Sequence, residues 1–283
     1  PGDDKAMAAA RNRFLSGGWY APLRDALCRL AVDHAPARPA VLDSGCGEGY
    51  YTAGVCAALA AAGKPPETAG VDLSKPSLRW AARREPQAEF AVASVYHLPV
   101  APSRVDLLLN CFSPLALEEF RRVLRPGGVF LYVVPAARHL WELKQVLYER
   151  PYPNPEEDIP YEGFDYLEVL PVEETLAIRS REPLLDLFQM TPYRWKTPRT
   201  GVERLEELDA QSLLDRMAQM EQEGTTFMNK QKQDTRRRRF VAPIVVAIVM
   251  SVLMAGLIWL FLWAFEVDPA GAPPLPVLAL FVA

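Results

Sequence analysis

VLDSGCGEGYY, at residues 41–51, is the most informative stretch of the chain. An apolar run ends in Asp43, a G-x-G-x-G turn follows, and a helix then begins at Tyr50. Glycines let the backbone turn tightly and approach a ligand closely, where a Cβ would clash. The stretch therefore predicts a buried strand, a ligand-binding turn and a helix, as in an open α/β sheet.

The spacing of this turn distinguishes between two kinds of ligand. Dinucleotide-binding proteins carry G-x-G-x-x-G, whereas here the turn is G-x-G-x-G and Asp43 stands two residues before its first glycine. A carboxylate at this place would repel a pyrophosphate but could pair with an ammonium group. The residues therefore favour the amino-acid part of S-adenosylmethionine over NAD.

Two further strand ends support a ligand of this kind. Asp72 follows the run AGV, where an open α/β sheet would present its carboxylate to both hydroxyls of a ribose. An exposed loop aspartate is the alternative. Ser94 closes a third run at the level expected for an adenine, although a structural serine fits the sequence nearly as well.

Short apolar runs alternate with Ala-, Leu- and Arg-rich segments of helical length over residues 1–200. This βαβ rhythm predicts the α/β class with a doubly wound, mostly parallel sheet of the Rossmann-like kind. Strands of such a sheet are buried on both faces and are therefore continuously apolar. The predicted strands are AVLDSG (40–45), AGVDLS (69–74), EFAVAS (89–94), VDLLLN (105–110) and GVFLYVVP (128–135).

The composition changes after residue 200. Within 201–239, the leucines and methionines of 203–223 recur near helical spacing, which predicts an amphipathic helix, for packing or for binding a partner, before a basic linker. Residues 240–265 carry no charge and, at about 1.5 Å per residue, are long enough to cross a membrane as a transmembrane helix. A buried core helix or strand is the alternative. Residues 266–283 turn apolar again, as a truncated second hydrophobic segment would.

Charges predict how the apolar run 240–265 is oriented. Residues 229–239 are strongly basic, whereas Glu266 and Asp268 follow the run, so the bias of basic residues to the cytoplasmic side predicts that residues 1–200 lie in the cytoplasm.

The net charge of the whole chain is −4, which is poor evidence for nucleic-acid binding by charge alone. The four cysteines are far apart and form no C-x-x-C pair, so we expect no metal site.

Beyond these patterns, the chain resembles the bacterial 23S rRNA (guanine-N1-)-methyltransferase family. The helix, R-P-G-G and strand in LEEFRRVLRPGGVFLYVVP (117–135) are typical of class I methyltransferases, which use S-adenosylmethionine. The resemblance covers residues 1–200. Marks of the family are PGD with RxxFLxxGxYxPLRD (2–25), LDxGCGEGYYT (42–52), RHLxELKxxxY (138–148) and LxQMTPYRW (187–195).

The sequence departs from this family at both ends. The family begins with a four-cysteine zinc domain, thought to help grip the rRNA, and this sequence starts at the PGD that would follow it. After Trp195, a charged helix and the membrane-like run stand where the family has its final strand. We therefore expect weak rRNA binding, and we interpret 240–265 as a membrane segment joined by a gene fusion or present as a natural anchor.

The resemblance implies roles for particular residues. Nine positions match family residues that contact the cofactor: Asp43, Gly45, Gly47 and Glu48 at the methionine end, Asp72 and Leu73 at the ribose, Ser94 near the adenine, and Tyr20 and His139 on either side. A packed aromatic residue is the alternative for Tyr20, and a histidine satisfied by backbone groups is the alternative for His139.

The chemistry of the acceptor points to further residues. Guanine N1 carries a proton and is a weak nucleophile until that proton leaves, so a base or an acceptor beside it is useful. Asn110, at the end of the fourth strand, is the candidate for contacting the base, with His139 or Glu142 as the acceptor. A flipped base also needs an aromatic platform. The candidates for it, unless they belong to the core, are Phe112, Tyr193 and Trp195.

Two other functions fit parts of the sequence. A small-molecule methyltransferase would carry the same glycine turn and R-P-G-G run, although RHLxELK and QMTPYRW favour the rRNA enzymes. A membrane-anchored module that binds the cofactor without turnover is the other alternative. The intact acids Asp43 and Asp72 argue against such a degenerate site.

Overall fold

The structure is a computed structural model and describes residues 2–155, 161–178, 180–208 and 277–282, the last of these by its backbone. Its helices are α1 (Lys5–Ser16), α2 (Ala21–His34), α3 (Tyr50–Ala61), α4 (Lys75–Arg84), α5 (Leu117–Val123), α6 (Trp141–Leu147), α7 (Arg181–Met190), α8 (Tyr193–Lys196) and α9 (Arg199–Glu207). Its strands are β1 (Ala40–Ser44), β2 (Glu67–Asp72), β3 (Glu89–Val92), β4 (Val105–Cys111), β5 (Leu124–Val134), β6 (Asp165–Pro171) and β7 (Val277–Val282).

In the described part of the chain these strands form one sheet, in the order β3-β2-β1-β4-β5-β7-β6. β1 to β5 are parallel, with α3, α4 and α5 in the connections between them. β7 runs antiparallel to both of its neighbours. The predicted α/β class with a mostly parallel, doubly wound sheet is confirmed, and each of the predicted strands overlaps an observed one.

The central strands are apolar on both faces because helices cover both faces of the sheet. Leu107 and Leu109 of β4 belong to the cluster that packs under α2 and α3. Leu108, between them, belongs to the opposite cluster, with Phe120 of α5 and Phe130 of β5. All five side chains are fully buried. A continuous apolar run is thus what a central strand of this sheet requires.

The C-terminal region differs from the sequence-based expectations. Val277–Val282 pair with β5 on one side and with β6 on the other, so these six residues of the predicted hydrophobic segment 266–283 form a strand of the sheet. The residues directly after Leu208, where a charged helix and the membrane-like run are predicted to replace the family's final strand, lie outside the described residues. A short apolar run suits a strand between two neighbours as well as it suits a membrane segment.

Other C-terminal predictions lie partly or wholly outside the described residues. Of the amphipathic helix predicted over 203–223, residues 203–207 are helical as the end of α9, Leu208 is extended, and residues 209–223 are not among those described. The predicted transmembrane segment 240–265 also lies outside them. Within the described ranges, no helix combines the length and the apolar character needed to cross a membrane.

Residues 2–4 form an N-terminal arm that lies against Leu73 and Ser74, directly after β2. Asp4 caps α1 by accepting a hydrogen bond from the backbone N–H of Met7 at 2.8 Å. Ser74, which caps α4, donates its hydroxyl to the carbonyl oxygen of Asp3 at 2.7 Å. Two helix caps therefore hold the arm against the segment that follows β2.

The place of β7 in the sheet gives a first prediction. Leu280→Pro should lower the free energy of unfolding by about 1–3 kcal/mol more than Leu280→Ala, because proline removes a backbone donor from a strand paired on both sides. Both variants lose the leucine side chain, so the difference between them reports on the backbone. Chemical denaturation of the full chain measures it. Equal losses in the two variants would mean that residues 277–282 are not part of the sheet.

Candidate active site

The predicted ligand-binding residues meet at the carboxyl ends of the parallel strands. β1 and β4 are neighbours in the sheet, yet the chain proceeds from β1 to β2 on one side and from β4 to β5 on the other. Ligands of open α/β sheets bind in the crevice outside such a reversal of strand order. Asp43 lies near the end of β1, Asp72 ends β2 and Asn110 lies near the end of β4. All three therefore face the same crevice edge.

Three glycines shape the turn that follows β1. Gly45, Gly47 and Gly49 have φ angles of 84°, 55° and 79°, which residues with a Cβ rarely adopt. A Cβ on Gly45 would overlap the hydroxyl of Ser113, and one on Gly49 would come within 2.9 Å of the Cα of Ala81. The turn therefore depends on glycine both for its conformation and for its close approach to the neighbouring segments.

Asp43 is a buried carboxyl group with one unpaired oxygen. Its Oδ2 accepts a hydrogen bond from Oγ1 of Thr52 at 2.6 Å, whereas Oδ1 has no partner among the described residues. Burial raises the pKa of Asp43 to about 7, an effect that the Thr52 hydrogen bond opposes and the charges of Asp72 and Glu48 strengthen. A cation bound here would favour the charged form and so relieve this cost.

Three more buried oxygens near this edge have no hydrogen-bond partner in the described part of the chain: Ser44 Oγ, Glu48 Oε1 and Asn110 Oδ1. Burial raises the pKa of Glu48, while the charge of Arg11 lowers it. Buried polar atoms without partners are uncommon in folded proteins, and each calls for an explanation. A ligand that brings hydrogen-bond donors and positive charge explains the unpaired carboxyl oxygens of Asp43 and Glu48, and the ammonium end of S-adenosylmethionine is such a ligand. Oδ1 of Asn110, at the end of β4, stays available to a second molecule in the crevice.

Asp72 is held in place by two backbone groups. Its oxygens accept hydrogen bonds from the N–H of Gly47 at 3.0 Å and from the N–H of Ser74 at 2.7 Å. Each oxygen keeps a further lone pair. The carboxylate is therefore fixed beside the glycine turn with acceptors to spare, as a pair of ribose hydroxyls requires.

The other predicted contacts on this side of the crevice are more exposed. Leu73 is 55% exposed. Oγ of Ser94 accepts a hydrogen bond from the backbone N–H of Tyr96 at 3.2 Å. The Ser94 hydroxyl can therefore donate a hydrogen bond to an adenine. Their roles in cofactor binding stay predictions.

Three rings from separate parts of the chain meet beside this edge. The hydroxyl of Tyr20 lies 3.3 Å from Nε2 of His139. The imidazole of His139 stacks on the ring of Phe112 with centroids 5.7 Å apart, and Tyr20 meets both rings edge-on. Phe112 has a φ of 54°, a conformation that costs about 1–2 kcal/mol in a residue with a Cβ. The fold accepts this strain at the point where the ring enters the cluster.

The protonation of His139 follows from its surroundings. Burial and, to a lesser extent, the charge of Lys144 lower the pKa of His139 to about 4. The imidazole is therefore neutral near pH 7, and one of its nitrogens is a hydrogen-bond acceptor. This property suits a residue that must receive a hydrogen bond or a proton.

The remaining predicted residues have other surroundings. Glu142 is exposed in the first turn of α6. Tyr193 packs edge-on against Tyr148 with ring centroids 6.3 Å apart. Trp195 is 66% exposed, and the guanidinium of Arg194 lies 4.7 Å from its ring centroid. The structure therefore groups Phe112 with the cofactor-side residues and leaves Glu142 and Trp195 outside that cluster. Tyr193 borders the cluster, because burial and, to a lesser extent, the charge of Tyr193 raise the pKa of Tyr20.

Thr52 and Lys144 are among the residues that shape the site and that sequence reasoning missed. Thr52 lies in the first turn of the helix after the glycines, and that position alone points its hydroxyl back toward β1. Lys144 is fully buried, and its Nζ donates to Oδ1 of Asn154 at 2.8 Å. Asn154 in turn donates to the carbonyl of Ala136 at 2.8 Å, close in sequence to His139. A lysine in a short helix gives no sign of burial in the sequence.

The fold and the site together define a class I methyltransferase. Its marks are the sheet order with β7 reversed between β5 and β6, the glycine turn after β1 and the acid at the end of β2. Among the residues that the structure describes, no cluster of His, Cys, Asp and Glu side chains could hold a metal ion.

Comparisons with known proteins point the same way. A family model described as "Methyltransferase domain" matches residues 41–128. The putative 23S rRNA (guanine-N(1)-)-methyltransferase YxjB of Bacillus subtilis (strain 168) is 32% identical over 209 residues, which are 70% of this chain and 73% of that protein. A putative 23S rRNA (guanine-N(1)-)-methyltransferase of Micromonospora griseorubida is 40% identical over 159 residues, 50% of this chain and 52% of the relative. The 23S rRNA (guanine(748)-N(1))-methyltransferase of Streptomyces fradiae is 40% identical over 148 residues, 51% of each chain.

The chain belongs to the family of S-adenosylmethionine-dependent methyltransferases that includes the Bacillus subtilis protein. It spans about half the length of the Micromonospora and Streptomyces relatives. S-adenosylmethionine is accordingly its cofactor, as the sequence predicted.

The raised pKa of Asp43 gives a prediction about cofactor binding. The affinity for S-adenosylmethionine should rise with pH until about pH 7 and level off above it. Only the charged carboxylate pairs with an ammonium group, so below its pKa the site must first release a proton. Calorimetric titrations on both sides of this pH measure the effect. Without cofactor, the stability of the fold should decrease as pH rises from 3.8, the ordinary pKa of an aspartate, to about 7, because the folded state holds a proton that the unfolded state has released.

Asp43→Asn tests which group is responsible. This variant should bind S-adenosylmethionine about 1.5–3 kcal/mol more weakly and without this pH dependence, because a charge-assisted hydrogen bond is lost. Asp25→Asn changes an exposed carboxylate of α2 and is the matched control, with affinity expected to be unchanged. A pH dependence that persists in Asp43→Asn would assign it to another group.

Proposed function

We propose that this protein transfers the methyl group of S-adenosylmethionine to N1 of a guanine in 23S rRNA. The proposal is based on three relatives that are named for this reaction and are 32–40% identical to this chain. The crevice supports it, because the same edge of the sheet combines a cofactor site with an aromatic cluster and a buried amide acceptor.

The acceptor side of the reaction needs little more than positioning. The sulfonium supplies an already activated methyl group, so the protein must align the nucleophile and exclude water. Guanine N1 must also lose its proton, which an acceptor beside it promotes. Two acceptors lie at this edge, the unpaired Oδ1 of Asn110 and the neutral imidazole of His139. Nδ2 of Asn110 donates to the carbonyl of Pro114 at 3.0 Å, which fixes the orientation of the amide.

Phe112 is the residue we assign to stacking on the target base. The residue is 40% exposed, and His139 stacks on one face of its ring. Its backbone is strained, and it follows Asn110 by two residues. A base extruded from RNA is commonly held on an aromatic face of this kind. Trp195 lies outside this cluster, so we assign it to RNA beyond the target base. Tyr193 borders Tyr20 and is the second candidate for contacting the target base.

The direct test is to incubate the full chain with unmodified 23S rRNA and S-adenosylmethionine and to analyse the RNA nucleosides by mass spectrometry. We expect 1-methylguanosine to appear. A different methylated nucleoside would overturn the choice of acceptor atom. In a parallel incubation with a small-molecule extract, methylation of a compound in the extract together with unmodified rRNA would overturn the rRNA assignment.

Phe112→Ala gives a matching prediction for the site. The KM for rRNA should rise about 5- to 100-fold, since stacking of a base on an aromatic ring contributes about 1–3 kcal/mol. Tyr166→Ala removes a ring of similar exposure from the edge strand β6 and should leave the KM unchanged. Equal effects of the two substitutions would contradict the stacking role.

A further inference from the structure

Arg11, on α1, reaches over the glycine turn of the cofactor site. Its Nη1 lies 3.8 Å from the point where a Cβ on Gly47 would stand. Its Nη2 donates to the carbonyl oxygen of Met190, at the end of α7, at 2.8 Å. The guanidinium is thus fixed from behind by α7 and presented to the turn that surrounds the methionine end of the cofactor.

The partner of Arg11 in this structure is a carboxylate from the N-terminal arm. Nη1 of Arg11 forms an ion pair with Asp3, and both side chains are about three-quarters or more buried. The carbonyl of Asp3 is held by the hydroxyl of Ser74. Burial raises the pKa of Asp3, the charge of Arg11 lowers it, and the charge of nearby Asp72 raises it. Asp3 therefore pairs with Arg11 while its carboxylate is repelled by the charge of Asp72.

The cofactor brings a carboxylate of its own. The amino-acid end of S-adenosylmethionine is a zwitterion, so a site for it needs an acceptor for the ammonium and a donor for the carboxylate. Asp43 and Glu48 supply the acceptors. Arg84 is another cation whose charge reaches Glu48, and its Nε is buried without a partner among the described residues. Its Nη2 donates to the side chains of Asn12 and Ser16 at 2.7 and 3.0 Å, whereas Arg11 is the cation that lies beside Gly47 of the glycine turn.

We propose that Arg11 binds the carboxylate of S-adenosylmethionine, and that Asp3 occupies the same guanidinium until the cofactor displaces it. The exchange replaces one carboxylate by another on the same donor, so the charge of Arg11 stays compensated throughout. This inference depends on the cofactor and not on the rRNA acceptor, because none of its groups is among those assigned to the guanine.

A ligand that lacks only the carboxylate makes the test specific. Calorimetry on the full chain, without RNA, gives the dissociation constants of S-adenosylmethionine and of decarboxylated S-adenosylmethionine. Their ratio measures what the carboxylate contributes, and effects of a substitution on the rest of the pocket cancel in it. In the unaltered protein we expect S-adenosylmethionine to bind about 10- to 100-fold more tightly than the decarboxylated form, the range for a charge-assisted hydrogen bond.

Arg11→Met should bring the ratio close to one, and Arg11→Lys should leave an intermediate ratio, because lysine keeps the charge but loses the two-pronged geometry. Asp3→Asn should increase the ratio, since the competing carboxylate is gone. Arg13→Met is the matched control, because Arg13 lies on the same helix but pairs with Asp186 of α7, and its ratio should stay unchanged.

An unchanged ratio in Arg11→Met would overturn the proposal, whatever happens to the absolute affinities. Should Arg11→Met fail to fold, an unchanged ratio in both Arg11→Lys and Asp3→Asn would overturn it equally. Absence of rRNA methylation by the unaltered protein would leave these ratios untouched, so the two proposals fail separately.

Discussion

The burial of carboxyl groups at the end of β1 is the constraint on which the rest of the site depends. Asp43 and Glu48 are each only 1% exposed, and each has an oxygen without a partner in the described part of the chain. The fold carries this cost because burial leaves the site ready for a cation. The raised pKa of Asp43 is the measurable consequence. The glycine turn, Thr52 and α1 surround these carboxyl groups.

The order of the strands explains why residues so distant in sequence act together. The reversal between β1 and β4 opens a crevice at one edge, and the carboxyl end of each parallel strand delivers one polar group to it. The cofactor side receives Asp43 and Asp72, whereas Asn110 and Phe112 come from the end of β4. The ring of His139, from the connection after β5, closes the cluster from the far side. Cofactor and acceptor therefore meet where the two halves of the sheet diverge.

The parallel half of the fold could be predicted from the sequence because its signals are local. A continuous apolar run followed by glycines predicts a buried strand and a turn without reference to the rest of the chain, and β1 to β5 were found in this way. β6 was missed because its residues are exposed or only partly buried and show no apolar run. Arg11 and Lys144 were missed because their partners, Met190 and Asn154, follow only from tertiary packing.

β7 shows the limit of composition as a guide. Its six residues lie in an apolar C-terminal stretch whose composition predicts a truncated second hydrophobic segment, yet they form a strand between β5 and β6. Strand pairing, which composition does not encode, assigns these six residues to the sheet. Residues 209–276, with the predicted transmembrane segment 240–265 among them, lie outside the described residues, so the membrane crossing that hydropathy and charge favour stays a prediction. An apolar run of six residues therefore has two interpretations, and only its hydrogen-bonded neighbours distinguish between them.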